Sequence, residues 1–172
     1  MTDSYENENN AIDGEDEMGS LNHGKTQINL GGLLKFKCNK GLSVITKLSL
    51  DISQHDLSKY ELNVKDELKP DICAYTTPPS IPNEKDDLIK VSQMPDLAIE
   101  ILSPRQAVGY LIRKINAYFE LGVSSCWLVI PTNKYIAVYS ETNQYKSFDI
   151  QHDTEVVDKV MDIRLPIANV FD

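Results

Sequence analysis

The sequence predicts a single α/β domain built around a mixed β-sheet. Its 172 residues are 41% hydrophobic, which is enough for one sizeable core. Apolar residues alternate in several short segments, which is typical of strands. One segment, 105–121, instead repeats its apolar residues every 3.6 positions, as an amphipathic helix does. Because apolar strands precede and follow that helix, we expect a strand–helix–strand unit within the sheet.

Charge is distributed unevenly along the chain. The 26 acidic and 17 basic residues give a net charge of −9, and seven of the acids but no base lie in residues 1–20. Residues 1–12 are therefore predicted to be a flexible acidic N-terminus, and residues 13–172 a single domain. Phosphate groups are bound by Lys and Arg, so the net charge disfavours nucleic acid as a partner. The near-neutral body weakens that argument without removing it.

Other features of the composition exclude several classes of protein. No apolar run approaches the ~20 residues that a membrane helix needs, and the acidic N-terminus is unlike a secretory signal peptide. The three cysteines are widely spaced and form no C-x-x-C pair. Disulfide scaffolding and structural zinc are therefore not expected. We expect a cytoplasmic protein without a membrane segment.

The first half of the chain predicts one helix followed by three strands. Asn22 is a suitable N-cap for a helix over 23–37, in which Gly31-Gly32 indicates close packing against a neighbour. The buried side of this helix is expected to carry four aliphatic residues, Ile28, Leu30, Leu33 and Leu34. Three segments that follow predict strands: 43–52, 60–66 and 70–76.

The second half predicts the strand–helix–strand unit and a hairpin. A loop with three prolines follows residue 76 and runs to residue 90, and a loop of this length is often functional. The helix over 105–121 is closed by Gly122, and its apolar face is formed by Val108, Leu111, Ile112, Ile115 and Phe119. Strands are predicted at 95–103, 125–130, 135–140 and 145–150. The tail is either an edge strand or a short helix, and it ends in a helical turn at 166–171.

Two carboxylates stand out because of their positions in predicted strands. Asp71 opens one strand, and Glu100 lies inside another whose neighbours are all apolar. A buried acid needs a hydrogen-bond donor, a cation or a metal ion to compensate it. One interpretation is a solvent-facing acid, or a buried acid paired with Lys or Arg. The other is a Mg²⁺ site, in which the ion activates a water and neutralises a phosphodiester.

Basic residues accompany these two carboxylates. Lys114 lies on the flank of the apolar face of the helix, so its stem can follow the core while its ammonium turns toward the carboxylates, or it can reach solvent. Arg105 and Arg113 flank it, and no acid occurs between Leu102 and Phe119. Residues 21–50 carry five lysines and no acid, which indicates either phosphate contact or a solvated helix face. His23 alone is expected to cap or pack, and Tyr118 and Trp127 are expected in the core.

The order of these motifs resembles a known family. The motifs are Asp13-Gly14-Glu15, Met18, His23, Lys69-Pro70-Asp71, the stretch from Pro95 to Pro104, Lys114, Tyr118, Gly122-Val123, Trp127-Leu128-Val129 and Pro131. They are similar to those of the Uma-two family of putative restriction endonucleases, within the PD-(D/E)xK nuclease superfamily. The resemblance covers roughly residues 10–172, and Pro95 to Pro131 is its specific part. It implies a restriction-endonuclease-like α/β (α+β) fold with a central mixed β-sheet flanked by helices.

The resemblance also implies the site residues. Asp71 and Glu100 would hold Mg²⁺ or Mn²⁺, with the backbone carbonyl of Ile101 as a third ligand. Lys114 would supply the cation, because Leu102 stands where the superfamily usually has its lysine, as is usual for this family. Other residues fall into two groups: Glu17 (or Glu15), His23 and Tyr118 at the periphery of the site, and Lys25, Arg105 and Arg113 as DNA contacts.

The implied function is that of a metal-dependent endonuclease whose DNA binding is weak and sensitive to salt. The oligomeric state is left open, and a homodimer is one possibility. Three departures from the family pattern, Tyr110, Ser125 and Ile130, remove an acid or a polar contact that is expected at the rim of the site. The alternative is therefore a catalytically decayed member that acts as a non-enzymatic binding or assembly module. A third interpretation is an α/β protein without any nucleic-acid function.

Overall fold

A computed structural model describes residues 19–38 and 40–172 and shows a mixed six-stranded sheet with helices packed against it. The predicted flexible terminus, 1–12, lies outside the described residues. The elements follow in chain order: α1 (Leu21–Phe36), β1 (Ser43–Thr46), β2 (Leu50–Asp51), β3 (Glu67–Leu68), β4 (Ile72–Tyr75), β5 (Leu97–Ile101), α2 (Val108–Glu120), β6 (Ser125–Ile130), β7 (Tyr135–Glu141), β8 (Gln144–Asp149), β9 (Glu155–Asp158), β10 (Ile163–Pro166) and α3 (Ile167–Val170).

The central sheet has the strand order β1-β4-β5-β6-β7-β8. The pair β5–β6 is parallel and is connected through α2, whereas the other neighbours are antiparallel. The strand–helix–strand unit and the β7–β8 hairpin are therefore confirmed, as is the mixed sheet flanked by helices. Parallel pairing requires such a crossover helix, because a short turn cannot return the chain to the same end of the sheet.

The sheet separates two apolar layers because successive side chains of a strand point to opposite faces. On one face Ile99, Ile101 and Trp127 pack with Leu30 and Leu34 of α1. On the other face residues such as Ala98 and Leu128 pack with Leu111, Ile115 and Tyr118 of α2. The alternation places Glu100 on the same face as Ala98, which is the face that α2 covers.

Helix α1 differs from its prediction at its start and on its buried side. Its N-cap is Ser20, not Asn22, and the Ser20 hydroxyl accepts a hydrogen bond from the His23 N–H at 3.2 Å. Ile28 is 72% exposed, so its predicted burial was wrong, whereas Leu30, Leu33 and Leu34 are buried as expected. No described atom lies within 4 Å of a Cβ built at Gly31 or Gly32, so the close packing expected there is absent from the described part of the chain.

The segment after α1 is more broken than its alternating pattern predicted. The strand expected over 43–52 is interrupted at Lys47, whose φ of 52° turns the chain between β1 and β2. The strand expected over 60–66 was wrong: a 3₁₀ turn at Ser58–Tyr60 ends where it should begin, residues 61–66 form no strand, and the two-residue β3 follows at Glu67–Leu68. The tail forms the antiparallel hairpin β9–β10 followed by α3.

Helix α2 buries polar groups along with its apolar face. Leu111 and Ile115 are fully buried as predicted, but Val108 is 38% exposed. Lys114 and Tyr118 also belong to the buried side of α2, and both contact Glu100 of β5. Within residues 19–38 and 40–172, no helix is long and apolar enough to cross a membrane.

Candidate active site

Five chain segments meet at one edge of the central sheet. Strand β4 runs antiparallel to β1 and β5, with Thr46 opposite Ile72 and Ile72 opposite Ile99. The ends of β1 and β5 therefore lie beside the start of β4. Strand β6 is parallel to β5 and ends at the same edge, and the N-terminal turn of α1 also reaches this edge through His23. The edge brings together residues that are far apart in sequence.

Asp71, immediately before β4, is buried and surrounded by donors. Its Oδ2 accepts the backbone N–H of Ile101 at 2.7 Å. Its Oδ1 contacts the Lys47 ammonium and lies 3.2 Å from His23 Nε2. Burial acts to raise the pKa of Asp71, but the His23 hydrogen bond and the Lys47 charge outweigh burial and hold that pKa below its usual range. Asp71 is therefore a stable carboxylate anion at neutral pH.

Glu100 lies one residue before the end of β5 and is 2% exposed. Its Oε1 is 2.8 Å from the Lys114 ammonium and accepts the Tyr118 hydroxyl at 2.6 Å. Lys114 Nζ also donates to the Lys69 carbonyl at 3.4 Å, and only 3% of the Lys114 side chain is exposed. Of the two expectations for this lysine, the structure shows the buried one, with the ammonium turned toward the carboxylate.

The donor set at this edge suits a hard divalent cation. Two carboxylates and the Ile101 carbonyl supply oxygen, which Mg²⁺ prefers. The Ile101 N–H bond to Asp71 ties the end of β5 to that carboxylate. No group of three or more His, Cys, Asp or Glu that could hold a metal occurs within the described residues. A bound Mg²⁺ would thus rely on Asp71, Glu100, the carbonyl and water, and a closed zinc site does not fit.

A cavity of about 310 Å³ opens at the same edge. It is lined by the start of α1, by the connection from β5 to α2, and by Pro131 and Thr132 after β6. The hydroxyl of Ser103, a buried residue in this lining, makes no hydrogen bond to the described part of the chain. Asp71 and Glu100 do not line this cavity, which shares with the site only the start of α1 and the segments that follow β5 and β6.

The remaining residues named from the sequence fall in different places. His23 contacts Asp71, and Tyr118 contacts Glu100. Lys25 and Arg105 are exposed. Arg113 donates to the Glu61 carbonyl at 3.4 Å and stacks over the Tyr110 ring at 5.4 Å. The three DNA contacts stay predictions, and Glu17 and Glu15 lie outside the described residues.

The three departures from the family pattern are not all at the rim of the site. Tyr110 is one turn before Lys114 and is buried, and Ile130 ends β6 at the site's edge. Ser125 was expected at the rim of the site but lies away from it. It pairs with Leu97, which is three residues, or about 10 Å, along β5 from Glu100. There the Ser125 hydroxyl donates to the buried Asp158 at 2.5 Å.

Asp158 is a third buried carboxylate, and its role is structural. Besides the Ser125 hydroxyl, it accepts Trp127 Nε1 at 2.8 Å and the backbone N–H groups of Val160 and Met161 at 2.9 and 3.0 Å. These bonds join the β9–β10 hairpin to β6 and satisfy both carboxylate oxygens. Asp158 therefore fastens the hairpin over the core instead of serving the site.

Sequence reasoning missed one residue of the site, Lys47. It was counted only as one of five lysines in residues 21–50. No local signal identified it, because Lys47 lies inside the strand predicted over 43–52. Its contact with Asp71 depends on the antiparallel pairing of β1 with β4, which ends at Thr46 opposite Ile72.

Comparison with known proteins gives a similar family and a similar fold. The family model described as Uma2, putative restriction endonuclease, matches residues 9–168. A crystal structure described as a putative nuclease from Anabaena variabilis is 21% identical, with a TM-score of 0.67, over 90% of this chain and 83% of that one. No curated protein matches the chain. The structural likeness confirms the predicted fold class.

Proposed function

The chain belongs to the Uma2 family of putative restriction endonucleases, and on that premise we propose that it is a metal-dependent endonuclease that hydrolyses DNA phosphodiester bonds. The observation that carries the proposal is the buried pair Asp71 and Glu100 at adjoining strand ends, with the Lys114 ammonium 2.8 Å from Glu100. Two buried acids on neighbouring strand ends with a lysine beside one of them match the needs of phosphodiester hydrolysis better than those of a purely structural ion pair.

Each residue of the site has a chemical task in this proposal. Bound Mg²⁺ or Mn²⁺ would supply a more acidic water and neutralise phosphodiester charge. Asp71 and Glu100, with the Ile101 carbonyl, hold the ion. Lys114 keeps Glu100 in its rotamer and places a positive charge where negative charge develops on the phosphate. The hydrogen bonds from His23 and Tyr118 fix the two carboxylates, so the site is organised before substrate binds.

The test is nicking of supercoiled DNA with Mg²⁺ or Mn²⁺. We expect Asp71→Asn and Glu100→Gln to reduce the nicking rate by at least about 100-fold, since each removes a ligand charge without removing volume. Loss of activity in Lys114→Arg should be less complete. Asp162→Asn is the matched control, because Asp162 is also an aspartate paired with a lysine, Lys40, but at an exposed position. It should nick DNA at the wild-type rate.

Two results would reject the enzyme. Wild-type protein that never nicks supercoiled, linear or single-stranded DNA with either ion has no nuclease activity. Full activity in both Asp71→Asn and Glu100→Gln would show that another site, or a contaminating nuclease, cleaves the DNA.

The competing function is a non-catalytic binding or assembly module. It is favoured by the cations already present: Lys47 contacts Asp71 and Lys114 contacts Glu100, so each carboxylate already has a counter-charge within the protein. A calorimetric Mn²⁺ titration separates the two functions. Binding that disappears in the double variant Asp71→Asn/Glu100→Gln supports the nuclease, whereas no heat of binding in the wild type supports the module.

The proposal extends to partners and location. DNA binding should be weak and salt-sensitive, through exposed basic residues such as Lys25 and Arg105. Cleavage of both strands would be served by a homodimer, which sedimentation with a DNA duplex would detect. A reducing cytoplasm fits the three free cysteines.

A further inference from the structure

Lys47 differs from the other basic groups that contact the two carboxylates. Its side chain is 47% exposed, compared with 8% for His23 and 3% for Lys114. Lys114 is held in the core, and His23 is held in the first turn of α1. Among the described residues that contact Asp71 or Glu100 as cations, Lys47 is therefore the one whose charged end can leave its carboxylate for solvent without unfolding its surroundings.

The backbone of Lys47 is nevertheless fixed at the site. Its N–H donates to the Asp71 carbonyl at 3.2 Å. Its φ of 52° is a conformation that residues other than glycine rarely adopt, and it occurs where β1 stops pairing with β4. A lysine in this conformation needs support from its neighbours, and such positions concentrate at functional sites. The backbone of Lys47 is therefore fixed beside Asp71, while its exposed side chain can move and still keep the ammonium near that carboxylate.

An ammonium and a divalent cation compete for the same carboxylate oxygen. The Lys47 ammonium contacts Asp71 Oδ1, so it repels a metal ion that approaches the same oxygen. When a metal binds there, the ammonium is repelled in turn and is released toward solvent or another anion. In a complex with DNA, the phosphate backbone would supply that anion.

We propose that Lys47 is a displaceable counter-cation: it neutralises Asp71 in the metal-free protein, competes with the divalent ion, and contacts a substrate phosphate once the ion has displaced it. This inference rests on the proposed nuclease function and adds a positioning residue to it. Lys47 thereby couples metal binding to DNA binding, because the second contact becomes available only after the first has been broken.

The first measurement is Mn²⁺ affinity by calorimetry. We expect Lys47→Met to bind Mn²⁺ about tenfold more tightly than the wild type, equivalent to about 1.4 kcal/mol, because the competing charge is gone. Lys47→Arg keeps the charge and should bind Mn²⁺ close to the wild-type affinity. Lys40→Met is the matched control, since Lys40 also pairs with an aspartate, Asp162, but on the exposed surface. Its Mn²⁺ affinity should equal that of the wild type.

The second measurement is DNA binding by fluorescence anisotropy, in EDTA and in saturating Mn²⁺, read before any product appears on a gel. In EDTA, Lys47→Met and Lys40→Met should bind DNA equally. In Mn²⁺, Lys47→Met should bind more weakly than Lys40→Met, and its slope of log Kobs against log salt should be smaller in magnitude by about one, which corresponds to one lost phosphate contact.

The outcomes separate this inference from the proposed function. If the wild type binds no Mn²⁺, the nuclease proposal fails and the inference fails with it. If the wild type binds Mn²⁺ but Lys47→Met binds it no more tightly than Lys40→Met does, the nuclease proposal stands and the role of Lys47 is rejected. A difference in DNA binding that is the same in EDTA and in Mn²⁺ rejects the displacement.

Discussion

Replacing Lys114 with Met tests how much the buried ion pair between Lys114 and Glu100 stabilises the folded protein. The Lys114 and Glu100 side chains are each 3% exposed, and their charged atoms are 2.8 Å apart. Met has nearly the length of the lysine stem and fills most of its space. The variant thus removes the charge with little change in packing, and it leaves Glu100 with the Tyr118 hydroxyl 2.6 Å away.

The expected loss of stability is large. Removing one partner of a buried ion pair leaves an uncompensated charge and costs about 3–5 kcal/mol. For a chain of this length each kcal/mol lowers Tm by about 2–4 °C, so the shift is on the order of 10 °C. Adding Glu100→Gln should recover a large part of that loss, because a neutral amide needs no counter-charge and can still accept the Tyr118 hydroxyl.

Urea unfolding followed by tryptophan fluorescence measures the effect directly. Trp127 is the single tryptophan and is fully buried beside Glu100's strand, so its emission reports the core. The matched control is Lys59→Met, which breaks the 2.9 Å ion pair of Lys59 with Glu120. Because 63% of the Lys59 side chain is exposed, the unfolding midpoint of this control should stay at the wild-type value.

The reasoning is refuted by either of two results. A Lys114→Met midpoint that moves no further than that of Lys59→Met would show that the core pair is solvated. A double variant Lys114→Met/Glu100→Gln that is no more stable than the single variant would show that Glu100 was not the group left without its counter-charge.

Three further outcomes follow from other buried groups. Asp158→Ala should lower the free energy of unfolding in urea by about 3 kcal/mol or more and alter the tryptophan emission, because several buried donors lose the carboxylate that accepted their hydrogen bonds. An unchanged unfolding midpoint would contradict this. With Ellman's reagent at pH 8, the half-buried Cys38 should react first. Burial raises the pKa of Cys73 to about 12 and that of Cys126 well above its usual range, so both should react only after unfolding. The pKa of Asp71 is lower in the folded protein than its usual value of 3.8, so the carboxylate contributes stability above pH 3.8 that is lost as the pH falls through the folded-state pKa. In Asp71→Asn the urea unfolding midpoint should therefore depend less steeply on pH below 3.8 than it does in the wild type.

The strands that carry the site were predictable because their side chains are almost all apolar, with Glu100 as the exception in β5. The segments that became β4, β5 and β6 are short, buried on both faces and flanked by turn residues or by a helix, which leaves few alternatives. The amphipathic pattern of α2 was equally clear, although Lys114 and Tyr118 looked like flank and core positions respectively. Periodicity identifies the face that is buried, but it does not show that a polar head on that face finds a partner.

The errors arose where tertiary contacts overrode local pattern. Ile28 has the spacing of a buried residue, yet α1 turns it to the surface because Leu30, Leu33 and Leu34 already fill the contact with the sheet. The alternation over 43–52 continued through Lys47, but pairing with β4 ended one residue earlier. A contact between Lys47 and Asp71 joins residues 24 positions apart, which no local pattern contains.

The charge of the whole chain and the charge of the site point in opposite directions. Most of the excess negative charge lies in residues 1–20, whereas the described sheet edge sets two carboxylates against the ammonium groups of Lys47 and Lys114. Because these cations neutralise the carboxylates internally, the edge adds no large repulsion toward a phosphate backbone. The two lysines also differ in burial: the enclosed Lys114 stays beside Glu100, whereas the exposed Lys47 can exchange its carboxylate for a phosphate. A binding module needs neither arrangement at a strand edge, so the difference in burial between the two lysines is itself an argument for the nuclease.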